Sequence, residues 1–175
     1  MGIIQLGSNT PSFEDPIAML LACHGKIRRF CAELSLLPEH LTQHGWDDVA
    51  VSSAKRICQY FNQAAPLHHL DEEADLFPAY RPLAPQQDIA LIEQLYTHQL
   101  DMEQTWQRLN TQLSQHITPV SSNDIQLFTS LYQQHMSVEE PLFSRIQAVL
   151  QADVLHALGM NMAQTTINWT SITSK

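Results

Sequence analysis

The sequence predicts an all-α protein: an up-down antiparallel four-helix bundle with a short C-terminal fifth helix. Three observations point there. Apolar residues recur at helical spacing over four long segments. Short joints rich in proline and turn residues separate them. Glycine is scarce, at five in 175 residues. That length suits a single domain spanning residues 1–175, with the bundle over about 13–150 and a C-terminal extension over 151–175.

Asp15-Pro16 starts the first helix, an acid in the capping position followed by proline where no N–H is needed. Ile17, Leu20, Leu21, His24, Ile27, Cys31 and Leu34 then share a face, and Pro38 is expected to end the helix, leaving His40 to Gly45 as a loop. A second helical stretch is expected from about Trp46 to Arg81, kinked or broken at Ala65-Pro66 and closed by Pro78, Pro82 and Pro85. The third, Gln86 to His116, carries Ile92, Leu95, His98, Met102, Trp106, Leu109 and Leu113 on one face. After a turn at Thr118 to Asn123, the fourth runs from about Asp124 to Leu150. It turns Phe128, Leu131, His135, Val138, Leu142, Ile146 and Val149 inward, with Pro141 expected to bend it. Ala152 to Gln164 reads as a short helix laid on the bundle through Leu155, Leu158 and Met162, and Thr165 to Lys175 as irregular.

Composition excludes several classes of partner. A formal charge of −9 argues against a nucleic-acid surface or a polybasic membrane anchor. The longest apolar run, Ile17 to Cys23, falls far short of the ~20 residues a spanning helix needs. The N-terminus has no basic stretch leading into an apolar one, so no signal peptide is expected. Cys23, Cys31 and Cys58, odd in number and without a CxxC pair, read as free thiols in a reducing cytoplasm.

Nine histidines are the compositional oddity. The stretch HHLDEEADLFP (His68 to Pro78) has a partner in HMSVEEPLF (His135 to Phe143): both contain His-x-x-x-Glu-Glu followed by an apolar pair. Residues four apart on a helix lie on one face, roughly 5–6 Å apart at Cβ, so each copy can aim an imidazole and a carboxylate at one point. In the first copy His68 pairs with Glu72, but His69 equally pairs with Glu73. Overlay on His135, Glu139 and Glu140 selects His68, Glu72 and Glu73, and puts Glu72 in line with Leu76. Asp71, Glu73 and Asp75 are then expected outside or at the rim, with His69 beside the site or on the surface. The other two helices each carry one histidine on the apolar stripe, His24 and His98.

Singly, each feature has a plain reading: an inward histidine is a common core residue, and an acidic run is usually a solvated face. The repeated pair, with the same following acid and apolar plug, outweighs those readings. Burying two carboxylates without positive partners costs several kcal/mol per ion. Arg28, Arg29, Lys55, Arg108 and Arg145 all fall off the inner faces by spacing. Metal is the economical counter-charge. Four imidazoles and two carboxylates exceed one tetrahedral zinc site and suit two bridged ions, iron foremost, with manganese or zinc as substitutes.

The fragments LLACHGKIRRF, APLHHLDEEADLFP, LYTHQLDMEQTW and HMSVEEPLF resemble the hemerythrin-like, HHE cation-binding family from about Pro16 to Leu150. The resemblance implies an up-down bundle with an oxo- or hydroxo-bridged di-iron centre, and as ligands His24, His68, Glu72, His98, His135 and Glu139. Oxygen-carrying members have a second histidine four residues from the one on the third helix; here those positions are Gln94 and Met102. Their last carboxylate sits five residues after its histidine, which makes Glu140 a reserve candidate. The four-histidine, two-glutamate set is similar to the branch associated with nitrosative stress and repair of iron centres. Binding of O2 or NO for sensing, storage or stress response is therefore expected. The alternative is a di-iron enzyme or iron donor acting on NO or peroxide, or repairing iron centres. His69, Glu73, Tyr132 and Glu140 are expected to orient the ligating side chains. Monomer and homodimer stay equally open.

Overall fold

The computed structural model describes residues 12–173, with side chains as far as Thr165; the N-terminal stretch read above as lacking a signal peptide lies outside them. Helix α1, Pro16–His44, opens as the sequence predicts: Pro16 is the first helical residue and the Asp15 carboxylate accepts from the Ala18 N–H. Pro38 does not end it. A mid-helix proline costs about 3 kcal/mol, while burying a leucine side chain returns roughly 1.5–3 kcal/mol. Leu37 and Leu41 are both buried, and the pair outweighs the proline. The stretch to His44 expected as a loop is therefore helical. Gly45, at φ 64°, closes the helix by donating its N–H to Leu41 O.

Helix α2 spans residues 48–83 and starts under the Asp47 cap. Two π turns, Tyr60–Ala64 and Glu72–Leu76, interrupt its α geometry. Each lies just ahead of a proline, Pro66 and Pro78. A proline ring clashes with the carbonyl four residues back and leaves it without a donor. A π turn moves that carbonyl aside and bonds five residues back: Ala65 N–H to Tyr60 O, and Phe77 N–H to Glu72 O. The break expected at Ala65-Pro66 is thus absorbed as a wide turn within a continuous helical path.

Helices α3, Gln86–Ser114, and α4, Ser122–Val149, complete the bundle. His116 adopts φ 52°, so α3 stops before it. On α4 the inward stripe includes Tyr132 and Met136, both buried, whereas Val149 is 46% exposed: a 3.6-residue period drifts off the positions chosen at the helix end. Helix α5, Ala152–Thr173, runs past Gln164, where an irregular tail was expected, and buries Leu158 and Met162. At Gly159 a Cβ would sit 1.8 Å from the Phe13 carbonyl oxygen, so only glycine lets α5 approach the start of the bundle. No described helix is long and apolar enough to cross a membrane.

The buried apolar side chains form two clusters. One contains Ile27, Leu34, Phe61, Trp106, Leu109 and Phe128. The other contains Leu20, Leu76, Phe77, Leu95, Leu142 and Phe143. In chain order, His24 falls between Leu20 and Ile27, and Glu72 between Phe61 and Leu76, so the polar residues occupy the level where the clusters meet.

A buried acid away from that level ties three helices together. Asp88, 3% exposed, accepts from Tyr80 Oη at 2.6 Å and from Arg145 Nε at 3.1 Å. Burial pushes its carboxyl up, but Arg145 and Tyr80 outweigh that and hold it below the usual carboxylate range. Because Arg145 is half-exposed and can turn to water, Asp88→Ala is expected to cost about 2 kcal/mol at pH 7. The folded value lies below the unfolded one, near 3.9. The contribution is therefore complete above the unfolded value and is lost as pH falls through the folded one. Urea unfolding of both proteins at neutral and strongly acidic pH should show the gap closing.

Candidate metal centre

Each side chain of the centre is placed by helical spacing. His24 comes from α1, His68 and Glu72 from α2, His135 and Glu139 from α4, and all five are buried. Ligating atoms of His24, His68, Glu72 and Glu139 lie within 4.8 Å of one another. His135 joins them through Nε2, 2.7 Å from Glu139 Oε1; His24 Nε2 stands 3.1 Å from Glu139 Oε2, and His68 Nε2 3.1 Å from Glu72 Oε1. These contacts are of ion-pair length, yet none aligns as a hydrogen bond. All four carboxylate oxygens of Glu72 and Glu139, and the Nε2 atoms of His24, His68 and His135, remain without a hydrogen-bond partner.

His98 stands at the edge. It is half-buried, its ring centroid is 5.9 Å from that of His135, its Nδ1 is buried and unpartnered, and its Nε2 lies 3.4 Å from Gln94 Nε2.

The electrostatics follow from the burial. Desolvation lowers His68 well below the ordinary histidine value, which keeps its ring neutral with a free lone pair. Burial and the neighbouring Glu139 carboxylate push Glu72 well up. Glu139 is also pushed up by burial, but His135 and His24 more than reverse this and hold it below the usual carboxylate range. No lysine or arginine is buried among the described residues.

The four residues expected to orient the ligating groups separate. Glu140 Oε1 sits 2.9 Å from His24 Nδ1 and is itself bonded by Arg28. With Nδ1–H donated to Glu140, His24 turns its Nε2 lone pair toward Glu139, the arrangement that fixes tautomer and ring orientation in metal sites. Glu140 therefore sits behind His24, away from the cluster of orphaned atoms. Tyr132 and His69 stack with centroids 6.1 Å apart, and His69 lies 5.4 Å from His135. Glu73 is exposed, at the mouth of a groove between α2 and α3.

Sequence reasoning missed three features here. Asp71, expected outside, is buried where α5 packs over residues 65–76; burial, with Asp75 beside it, pushes it up to about 7. Phe143, expected only as a plug, stacks on His24 at 5.6 Å. Gln99 is buried with its Nε2 unpartnered. Nothing in the spacing singled out Asp71 or Gln99.

The donor set fits a metal. Imidazole nitrogens and carboxylate oxygens from three helices converge with no hydrogen-bond partners, in a place where no lysine or arginine offers a counter-charge. Comparison with known proteins agrees. The family model described as hemerythrin HHE cation binding domain matches residues 15–146. An uncharacterized protein of Haemophilus influenzae (strain ATCC 51907 / DSM 11121 / KW20 / Rd) is 38% identical over 156 residues, covering 87% of this chain and 90% of its own.

Proposed function

Because the chain belongs to the hemerythrin HHE cation-binding family, we propose that it holds two iron ions through His24, His68, Glu72, His98, His135 and Glu139, and binds a diatomic ligand, O2 or NO, there for sensing, storage or stress response. The observation that carries this reading is the set of orphaned atoms. Glu72 and Glu139 are fully buried, their oxygens have no hydrogen-bond partner, and imidazole nitrogens close in on them. A buried polar atom left so costs about 1–3 kcal/mol, more if charged, and a pair of cations removes that cost.

When bound, such a centre supplies open coordination positions for a small ligand and one-electron redox chemistry. The chain's own residues supply the rest. Glu140, backed by Arg28, orients His24. Phe143 covers that ring's face, and Leu76, Phe77 and Leu142, all buried, exclude bulk water from one side. His69 and Tyr132 wall the other side and also line the groove between α2 and α3. Two His-x-x-x-Glu pairs on facing helices make the set nearly symmetric, which suits two ions rather than one.

Metal analysis of freshly purified protein should find about two irons per chain, the number six N and O donors can share. The optical spectrum should change reversibly on cycling NO or O2. Consumption of NO or peroxide with a reductant would move the reading to an enzyme. Metal far below one per chain would sink it.

A further inference from the structure

Because Pro38 does not stop α1, the helix runs on to His44 and gives two histidines a geometry that a loop would not. His40 and His44 are four apart on its last turns, so both rings leave one face. Their centroids stand 4.8 Å apart. Two imidazoles on one tetrahedral ion, with metal–nitrogen bonds of about 2.0–2.1 Å, hold their centroids about 5 Å apart. His24 and His68 in the buried centre are spaced alike, at 5.1 Å.

A carboxylate from the next helix joins the pair. The chain turns at Gly45, and Asp47 caps α2. Asp47 Oδ1 accepts from the Ala50 N–H at 2.9 Å and lies 2.9 Å from His40 Nε2. Both contacts fall on Oδ1, which leaves Oδ2 as a second acceptor. The Ala50 N–H, with His40 and His44 nearby, holds this carboxyl below the usual carboxylate range, so it is an anion at neutral pH. His44 is exposed, and no hydrogen bond from a described residue fixes its ring, so it can swing toward the other two. A histidine bonded to a capping acid explains itself as structure. A second imidazole on the same face is more than the cap requires.

We propose that His40, His44 and Asp47 form a second, surface site for a divalent cation of the zinc class, which ties the end of α1 to the start of α2. The ion enters between His40 Nε2 and Asp47; the His40 ring keeps its one proton on Nδ1 and offers the Nε2 lone pair. Water fills the remaining position. Two histidines four apart on a helix, with a third ligand from elsewhere, are a zinc-binding arrangement in their own right. The site is separate from the buried centre: at 1.5 Å per residue, His40 stands about 24 Å along α1 from His24. Being exposed, it exchanges its ion with the buffer and is read only with zinc supplied.

Equilibrium dialysis of the full chain against buffered free Zn2+, with zinc counted per chain, tests it. Wild type should take up one more ion than His44→Ala. That variant should bind the ion at least about tenfold more weakly, since even groups behind the ligands of a metal site are worth that much. His156→Ala, which removes an exposed histidine on α5, should match wild type. Asp47→Asn keeps an oxygen for the Ala50 and His40 hydrogen bonds and caps a helix as well as aspartate. Its melting temperature in chelator should therefore stay at the wild-type value while its zinc affinity falls about tenfold. That split separates a ligating carboxylate from one that only caps. Zinc should also raise the melting temperature of wild type more than that of His44→Ala. Equal uptake by wild type and His44→Ala, loss of the same ion in His156→Ala, or full zinc affinity in Asp47→Asn would each overturn the proposal. All four proteins share an unaltered buried centre, so the result does not depend on what that centre holds.

Discussion

Replacing His68 and His135 together by alanine should leave a folded helical protein that carries no metal. Each change removes the imidazole of one His-x-x-x-Glu pair, and the two come from different helices. Glu72 and Glu139 then keep only His24, with His98 at the periphery, too few donors for two ions of about six-coordinate preference. The fold should survive because the apolar stripes are untouched. Leu20, Leu76, Leu95, Leu142 and the aromatic cluster around Phe128 remain buried, and neither histidine donates or accepts a well-aligned hydrogen bond that would be lost. Metal per chain, measured beside the far-UV circular dichroism spectrum, checks both halves. Iron at the wild-type level in a folded double variant would show that the metal is held elsewhere.

The second large effect is one of stability, and its sign depends on the metal. In chelator, Glu72→Leu should be more stable than wild type by about 1–4 kcal/mol, the range seen when buried ionic groups give way to well-packed apolar ones. Removing one member of a buried pair usually strands the other charge. Here it does not: His68, the nearest partner of Glu72, is kept neutral by burial, and Glu139 keeps His24 and His135. For a chain of this size that gain corresponds to a rise in melting temperature of roughly 2–16 °C. With iron present the order should reverse. Wild type would gain the linkage term, about 2.7 kcal/mol for each site at a hundredfold excess over its Kd, while the variant gains little. Thermal unfolding of both proteins, with and without metal, gives the crossing. A variant less stable than wild type in chelator would mean that Glu72 is satisfied by the protein itself.

Much of the site was legible because a helix converts spacing into direction. His68 and Glu72, and His135 and Glu139, are four apart, so a pattern in one dimension fixed a face in three. The helix start at Asp15-Pro16 obeys a local rule and was readable, whereas the start expected at about Asp124 comes two residues earlier, at Ser122 under the Ser121 cap. What escaped were outcomes of competition. Pro38 loses to the burial of Leu37 and Leu41. Pro66 and Pro78 are accommodated by π turns, whose cost and benefit depend on what packs beside them. Asp71 is buried where a helix from the far end of the chain packs over its segment, and Gln99 is buried by the tertiary packing of the bundle. No local pattern carries those facts.

The π turn at Glu72–Leu76 has a bearing on how ions could reach an interior enclosed by two apolar clusters. Its backbone bonds run over five residues instead of four, as from Phe77 N–H to Glu72 O. The turn carries Glu72, so local opening of these five residues would bring its carboxylate toward solvent. Its backbone amides should surrender their protons to solvent deuterium sooner than those of the helical turns around them.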